Sequence, residues 1–389
     1  MNTKIKKILI ILIIILIIIF AGLLIYNFLI KKPGTEPNGG SGFPQGGEGQ
    51  EANQNNEPLI PRSERKIKAL SSEPVLTPTI TADKNEIIYY SRENGNVWQV
   101  DFDGANPTKI SDAALDNLVK ILWSPLKNKV ISIFVDNSDN ISKYFYDYST
   151  KKALPLNKYI NYIVWSPVGN KIAYQYQNDF TGENNISISN PDGSGFVQLL
   201  KTRMKNLNLE WPKGIDIFLW EKPSGLVQSP LYSLSSTTKS FNKIISDIYG
   251  FSPKWSPSGE KLIFSKTDSK GKNISIFSAD KSGSNQKPTG ATTLTEKCAW
   301  SQDPRIIYCA IPKNIEEAVV LPDDFYKGTF LSDDDFWRIN IETNEKTKII
   351  EDSELLETYD AHELFLSPQE NYLFFVNKTN GLLYSIKLE

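Results

Sequence analysis

One short segment recurs along this chain and limits what the chain can fold into: a Trp-Ser-Pro turn followed by alternating apolar and polar residues. It reads WSPLKNKVISIF from Trp123, WSPVGNKIAYQY from Trp165 and WSPSGEKLIFSK from Trp255. Alternation with a period of two is typical of a half-buried strand, and Ser-Pro-x-Gly supplies turn-forming residues. Each segment therefore predicts a β-hairpin whose first strand ends at the tryptophan.

Four weaker copies complete the series. They begin at Trp211, Trp300, Leu366 and Ile80, and neighbouring copies lie 42–46 residues apart except for a final spacing of 66. Each hairpin is followed by a third strand, such as NVWQVDFD or NISIFSAD, and usually by a turn and a fourth strand. A period of about 40–50 residues with four strands per unit predicts an all-β fold, a seven-bladed β-propeller of antiparallel blades.

The seventh unit has no fourth strand of its own before Glu389. The segment RKIKALSS, which precedes the first hairpin, is similar to the fourth strands of the other units. We therefore expect Lys66–Ser71 to form the outer strand of the last blade and to close the ring, because closure protects strand edges that are otherwise exposed. The propeller domain is expected to span residues 64–389, with an insertion at residues 313–335.

The repeat WSPxGxK[IL], with the strand and Asp-Gly turn that follow it, resembles the TolB-type, WD40-like β-propeller repeat. The resemblance covers Arg65–Glu389, although the Ser-Pro start is missing after Trp211 and Leu366 replaces the tryptophan of the last copy. Propellers of this kind serve as scaffolds, as receptors and as domains of hydrolases, so the repeat is specific for fold and not for function. TolB-type periplasmic proteins bind protein partners at an envelope, and the resemblance implies a partner of that class.

The N-terminal region predicts a membrane anchor. Ile8–Ile30 is an apolar run of 23 residues, which as a helix is roughly 34 Å long, enough to cross the ~30 Å hydrocarbon core. Three lysines precede the run and two follow it. By the positive-inside rule we expect residues 1–7 in the cytoplasm, one uncleaved transmembrane signal anchor, and the propeller outside the cell membrane. Residues 31–63, rich in Gly, Pro and Asn, are expected to form a disordered linker.

Composition narrows the chemistry. The chain has one histidine, two cysteines and a formal net charge of -2, which disfavours a Cys/His zinc site, a histidine-based triad and a nucleic-acid partner. The segments DFDGAN and NPDGSG faintly resemble calcium loops, but they lack the closing bidentate acid and are predicted to be hairpin turns. We therefore assign no metal, no cofactor and no catalytic residue.

The insertion in the sixth unit is the one irregular feature of the repeat. Long loops on a rigid scaffold are where function concentrates. Its acids and aromatic residues suit contact with a basic protein segment or with a sugar polymer, and the alternative is a solvated cover over the ring opening. The candidate binding residues are Asp323, Asp324, Phe325, Tyr326, Asp334 and Trp337.

The two cysteines are predicted to form a disulfide. Cys298 and Cys309 lie on the two arms of the sixth hairpin, and the turn register places them directly opposite each other. Opposed residues at a non-hydrogen-bonded position have Cα atoms about 4.5 Å apart, within the range that a disulfide tolerates. An extracytoplasmic location permits the oxidation. The alternative is a pair of small buried thiols.

Together these features predict a membrane-anchored, extracytoplasmic β-propeller that binds a protein or a cell-envelope polymer and catalyses nothing. Two alternatives remain. A carbohydrate-active or other hydrolytic enzyme requires two carboxyl groups about 5–10 Å apart in a pocket. A purely structural spacer predicts no concavity confined to one face. The sequence leaves the oligomeric state open.

Overall fold

The computed structural model describes residues 66–388, which belong to one compact unit and form seven four-stranded antiparallel sheets. The predicted seven-bladed β-propeller is therefore confirmed. The expected membrane anchor Ile8–Ile30 and linker 31–63 lie outside the described residues. Within residues 66–388, no helix combines the length and the apolar character needed to cross a bilayer.

Each blade uses four strands in the order of the chain, apart from the last. Blades one to three contain β2 (Val75–Ile80), β3 (Glu86–Ser91), β4 (Val97–Asp101), β5 (Thr108–Ser111), β6 (Leu118–Trp123), β7 (Lys129–Val135), β8 (Ile141–Asp147), β9 (Lys152–Pro155), β10 (Ile160–Trp165), β11 (Ile172–Asn178), β12 (Glu183–Ser189) and β13 (Val197–Lys201). Blades four and five contain β14 (Asn208–Glu210), β15 (Asp216–Trp220), β16 (Gln228–Ser235), β17 (Phe241–Tyr249), β18 (Ser252–Trp255), β19 (Lys261–Lys266), β20 (Ser275–Asp280) and β21 (Lys287–Pro288). Blade six contains β22 (Cys298–Trp300), β23 (Ile306–Pro312), β24 (Asp334–Asn340) and β25 (Lys346–Lys348).

The seventh blade closes the ring as the sequence predicts. It contains β26 (Ala361–Leu366), β27 (Tyr372–Asn377), β28 (Leu383–Lys387) and, as its outer strand, β1 (Ile67–Ala69). The strand β1 pairs antiparallel with β28, with Ile67 opposite Ile386. The side chain of Ile67 is buried in the core of this blade, so the closing strand contributes apolar burial as well as backbone hydrogen bonds.

In each Ser-Pro turn, the serine side chain accepts a hydrogen bond from a backbone N–H on the other side of the turn. In the second blade the backbone N–H of Lys129 donates to Ser124 Oγ over 3.1 Å. The same bond joins Lys171 to Ser166 over 3.1 Å. Side-chain oxygens of serine stabilise turns in this way. The repeated serine therefore fixes the hairpin register that places each tryptophan.

The repeated tryptophans hold neighbouring blades together. The indole of Trp123 donates to the carbonyl oxygen of Thr77 in the first blade over 3.0 Å, and that of Trp165 donates to Leu122 in the second over 2.9 Å. Each of these rings is buried. A buried indole N–H needs an acceptor, and the preceding inner strand supplies it. These tryptophans are thus packing residues between neighbouring blades.

The sixth hairpin has the predicted register, with Cys298 directly opposite Cys309. Their Cα atoms are 4.1 Å apart, and the two sulfur atoms are bonded in the structure. Both residues are fully buried in the core between the fifth and sixth blades. The oxidation state in the protein as it is made in the cell stays a prediction.

Candidate functional site

The ring has two different faces. In antiparallel blades the connections between second and third strands lie on the same face as the connections between blades. The insertion joins β23 to β24, so it lies on this face, which we call the insertion face. The first strands of neighbouring blades contact each other, as β22 does with β26, and they therefore surround the central channel.

The insertion is shorter than predicted and contains a small core. The connection runs from residue 313 to residue 333, so Asp334 and Asp335 belong to β24 and not to the loop. A short helix, α1 (Asp323–Lys327), lies within it. Its apolar residues are buried against side chains of the fifth blade and of the segment that leads into the sixth; the cluster contains Ile274, Leu294, Leu321, Phe325 and Phe330.

Hydrogen bonds fix the insertion across neighbouring blades. The carboxylate of Asp323 accepts from Ser224 Oγ over 2.9 Å and from the N–H of Gly225 over 2.7 Å, both in the fourth blade. The N–H of Leu321 donates to the carbonyl oxygen of Gly271 in the fifth blade over 2.9 Å. The Asp323 carboxylate predicted to meet a partner is therefore bonded to the propeller itself.

The next two candidate residues are also used internally. Asp324 accepts from the N–H of Val320 over 2.8 Å, and this bond lowers the pKa of its carboxyl. Phe325 is buried, and the ammonium of Lys378 from the seventh blade lies 4.3 Å from its ring centroid. A cation over an aromatic face is attracted by the ring quadrupole. The Asp324 bond holds the insertion together, and the Lys378 contact attaches α1 to the seventh blade.

Tyr326 is the one predicted residue of α1 with an exposed ring, at 39% of its full accessible area. Its hydroxyl donates to the carboxylate of Glu296, which also accepts from Ser252 Oγ over 2.7 Å. Ser252 is the first residue of the inner strand β18. The insertion therefore reaches the mouth of the central channel through Tyr326.

Asp334 lies in a buried ionic cluster that sequence reasoning missed. The ammonium of Lys297 donates to Asp334 Oδ2 over 2.7 Å and to Asp360 Oδ1 over 2.6 Å, and all three side chains are fully buried. The same ammonium donates to Ser332 Oγ over 2.9 Å. Burial raises the pKa of Asp334 against the opposing effect of Lys297. Asp334 thus joins the end of the insertion to the seventh blade and presents no surface to a partner.

Trp337 lies on β24, outside the insertion. Its ring is half-buried, and the ammonium of Lys348 lies 5.9 Å from the ring centroid. Of the six predicted binding residues, only Tyr326 combines exposure with a position at the channel mouth. The sequence shows how long and acidic the insertion is, but not that its acids bond to neighbouring blades.

Charged side chains on the inner strands form what we call the channel site: Glu210, Lys254 and Glu363, with Glu296 and Tyr326 at its mouth. Burial raises the pKa of Glu210 to about 7 against the opposing effect of Lys254. Burial also raises the pKa of Glu363 and lowers that of Lys254. In the part of the chain that the structure describes, neither carboxylate takes part in a hydrogen bond or ion pair within 4.0 Å.

The sequence does contain a signal for this site. Glu210 and Lys254 each stand directly before the repeated tryptophan, and the other Trp-containing copies have Leu122, Val164 or Ala299 there. The apolar residues at this position pack toward the following blade beside the inner strands, and the Lys254 ammonium donates to the carbonyl oxygen of Cys298 on the next inner strand. Charges at this normally apolar repeat position are therefore the sequence feature that marks the site.

The opposite mouth of the channel is concave. A cavity of about 540 Å³ is formed there by the hairpin turns, and Lys254 contributes to its lining. Lys127 also lines it, and burial lowers the pKa of this ammonium to about 8. Lys254 therefore belongs both to the channel site and to the lining of this cavity. Among residues 66–388, no group of three or more His, Cys, Asp or Glu side chains is placed to hold a metal ion.

The geometry defines a seven-bladed propeller with a charged channel, and solved structures share this fold. Oligogalacturonate lyase in complex with manganese matches with a TM-score of 0.59 at 12% identity, over 83% of this chain and 93% of that one. The propeller domain of Cps50 (Swd1) from Myceliophteria thermophila matches with a TM-score of 0.53 at 10% identity, over 83% and 100%. TolB from Acinetobacter baumannii matches with a TM-score of 0.45 at 13% identity, over 71% and 63%.

These likenesses show the fold and nothing narrower. All three identities lie far below the level at which function transfers with structure, and the TolB match has too low a TM-score to support an argument. The sequence matches no known family profile and no curated protein. The class is therefore a β-propeller.

Proposed function

We propose that this chain is a membrane-anchored, extracytoplasmic binding protein that presents its insertion face to a protein or a cell-envelope polymer. The observation that carries the proposal is the channel site. Glu210 is a half-buried carboxyl whose pKa burial raises to about 7, Glu363 is an exposed carboxyl on the inner strand β26, and neither has a polar partner within the described residues. A buried carboxyl without a partner, such as Glu210, costs stability, and groups of this kind are concentrated at functional sites.

The insertion supports the same proposal. It is fixed to several blades, so it forms a rigid wall beside the channel rather than a loop that must be ordered on binding. Tyr326 places an exposed aromatic ring next to Glu296 at the mouth. Preorganised aromatic and charged groups are the usual anchors of binding sites. A spacer has no need of a concavity, and the cavity at the opposite mouth argues against that alternative.

The experiment is capture of partners by the full chain from crosslinked envelopes, with the double variant Glu210→Gln/Glu363→Gln as the test. These changes keep the shape and remove the charge, so we expect recovery of the captured partner to fall about tenfold, a loss equivalent to about 1.4 kcal/mol. The matched control is Glu260→Gln/Glu345→Gln, which removes two exposed carboxyls from the face opposite the insertion. Equal capture by both variants would contradict a role for the channel.

A hydrolytic enzyme is the second candidate, and the pKa of Glu210 is the observation that favours it. A carboxyl whose pKa burial raises to about 7 suits a general acid, and Glu363 is a further carboxyl on an inner strand. The same protein preparations distinguish the two functions. Release of reducing ends from envelope polysaccharide, lost in Glu210→Gln, indicates an enzyme. Capture without any release indicates a binding protein.

A further inference from the structure

A second concave site lies far from the channel, in the wedge between the first and second blades. Its volume is about 890 Å³, which falls within the range of about 300–1,000 Å³ that is typical of small-ligand sites. We call it the blade 1–2 wedge. Five aromatic side chains line it together with small and polar residues, among them Ser132; the aromatic residues are Tyr90, Phe134, Tyr144, Tyr146 and Tyr148.

The repeat shows why this wedge is open. Ser132 lies two residues after Val130, which is directly opposite Trp123, and it faces the preceding blade. Ser132 is buried like the corresponding residue of every other blade, but those residues fill the gap in front of them and the small serine does not. These six residues are Tyr89, Tyr174, Leu219, Phe264, Cys309 and Phe375. Five have much larger side chains than serine, and the sixth is extended by its disulfide.

The aromatic walls offer both ring faces and hydroxyl groups. Tyr144 is 37% exposed and meets Phe134 edge to face, with ring centroids 5.8 Å apart. The hydroxyls of Tyr90 and Tyr148 share one hydrogen bond. Because this pair has two hydroxyl hydrogens and uses only one between its oxygens, the other can donate to a ligand. The wedge therefore combines stacking surfaces with hydrogen-bonding groups.

The rim of the wedge has little net charge. Asp116, Asp136 and Lys151 are its only charged members among the described residues. The Asp136 carboxylate is already used by the N–H of Ser138 over 2.8 Å and that of Asn140 over 2.9 Å. One free carboxylate and one ammonium remain. A ligand with several like charges would find only one opposing group here, whereas a neutral polar ligand needs none.

We propose that the blade 1–2 wedge binds a segment of neutral oligosaccharide. Sugar rings present apolar C–H faces that pack on aromatic rings, and their hydroxyls require the donors and acceptors that tyrosine, serine and asparagine supply. A sugar ring packs on the exposed face of Tyr144 with its hydroxyls toward the Tyr90–Tyr148 pair. This site is separate from the channel site and does not depend on the function proposed for it.

The test is titration of the full chain with cellotriose, chitotriose and trigalacturonate, followed by saturation-transfer NMR and calorimetry. At least one neutral trisaccharide should bind, and Tyr144→Ala should weaken it about tenfold through loss of the stacking ring. The matched control is Tyr232→Ala, because Tyr232 has the same place in the fourth blade, opposite Leu219. That variant should bind like the unaltered chain.

The second variant is designed to fill the blade 1–2 wedge. Ser132→Phe introduces the side chain that Phe264 and Phe375 provide in other blades, so the melting temperature should be retained while trisaccharide binding is lost. The proposal is overturned if no neutral trisaccharide binds at millimolar concentration, if trigalacturonate binds as tightly, or if folded Ser132→Phe binds undiminished. An apolar dye that binds the wedge where the sugars do not would also overturn it.

Discussion

The junction between the sixth and seventh blades and the junction between the first and second are built from the same repeat, yet one is sealed and the other is open. At the sealed junction Phe375 fills the gap, and its ring packs 5.0 Å from that of Phe336. The ionic cluster of Lys297 then closes the insertion face above it. At the open junction the equivalent of Phe375 is Ser132, and a cavity remains.

These two junctions show that ring formation and surface shape are specified by different positions. The tryptophans, the Ser-Pro turns and the alternating strands recur in most blades and determine the ring. At one register position of the second strand, the open junction has Ser132 where the sealed junction has Phe375. The ring is held together by contacts at seven junctions between blades. One junction can therefore lack a large filling residue without loss of the fold.

Breaking the sealed junction should have the largest effect. Lys297→Met leaves the carboxylates of Asp334 and Asp360 buried without their cation, so we expect about 3–5 kcal/mol loss in the free energy of unfolding. Urea denaturation of the full chain measures it. The control is Lys313→Met, which removes an exposed ammonium from Asp333 and should cost less than about 1 kcal/mol. Similar losses for the two variants would show that the cluster does not hold the junction.

The second-largest effect is expected from acid, which should lower the stability of the same junction. His362 is the only histidine of the chain and lies half-buried on β26. Burial and Lys297 lower its pKa to about 4, while Asp360 opposes them and Lys378 adds to them. The folded state thus binds fewer protons than the unfolded state between about pH 4 and pH 6.5. Stability should fall as the pH falls through this window, by at most about 3 kcal/mol.

The matched variant isolates this contribution from the titration of carboxyls. In His362→Gln, the free energy of unfolding should fall less between pH 6.5 and pH 4 than in the unaltered chain. The difference between the two proteins is the contribution of histidine protonation. Parallel pH profiles for the two proteins would show that His362 does not destabilise the sealed junction in acid.

The smallest effect is expected where a disulfide takes the place of a filling side chain. Cys309 is the sixth blade's equivalent of Ser132, so Cys298→Ala/Cys309→Ser gives that blade the serine of the open junction. We expect a loss of about 2 kcal/mol, since the disulfide closes a short loop. Mass spectrometry of non-reduced peptides from protein made in its own envelope should find the two cysteines linked. Two alkylatable thiols there would contradict both the bond and the external location.

The sequence was sufficient for the ring and insufficient for the site, for a physical reason. Strand register follows from local alternation and turn residues, so it could predict that Lys66–Ser71 closes the ring and that Cys298 faces Cys309. The bonds of Asp323 to the fourth blade and of Asp334 to Lys297 join residues far apart in the chain. No local pattern records such contacts. The insertion could therefore be located from its length, while the roles of its carboxylates required the fold.

Ring closure by β1 also determines how the molecule would bear tension. The described chain starts and finishes in the same blade, where the N–H of Lys387 donates to the carbonyl oxygen of Lys66 over 3.1 Å. A pull on the N-terminal side acts first on β1, a strand of three residues. Each of the other six blades has four strands from one continuous stretch of chain, so peeling β1 away leaves them intact. The pairing of β1 with β28 is thus the point at which the ring opens under tension. The force required is the force that separates this one short strand from its neighbour.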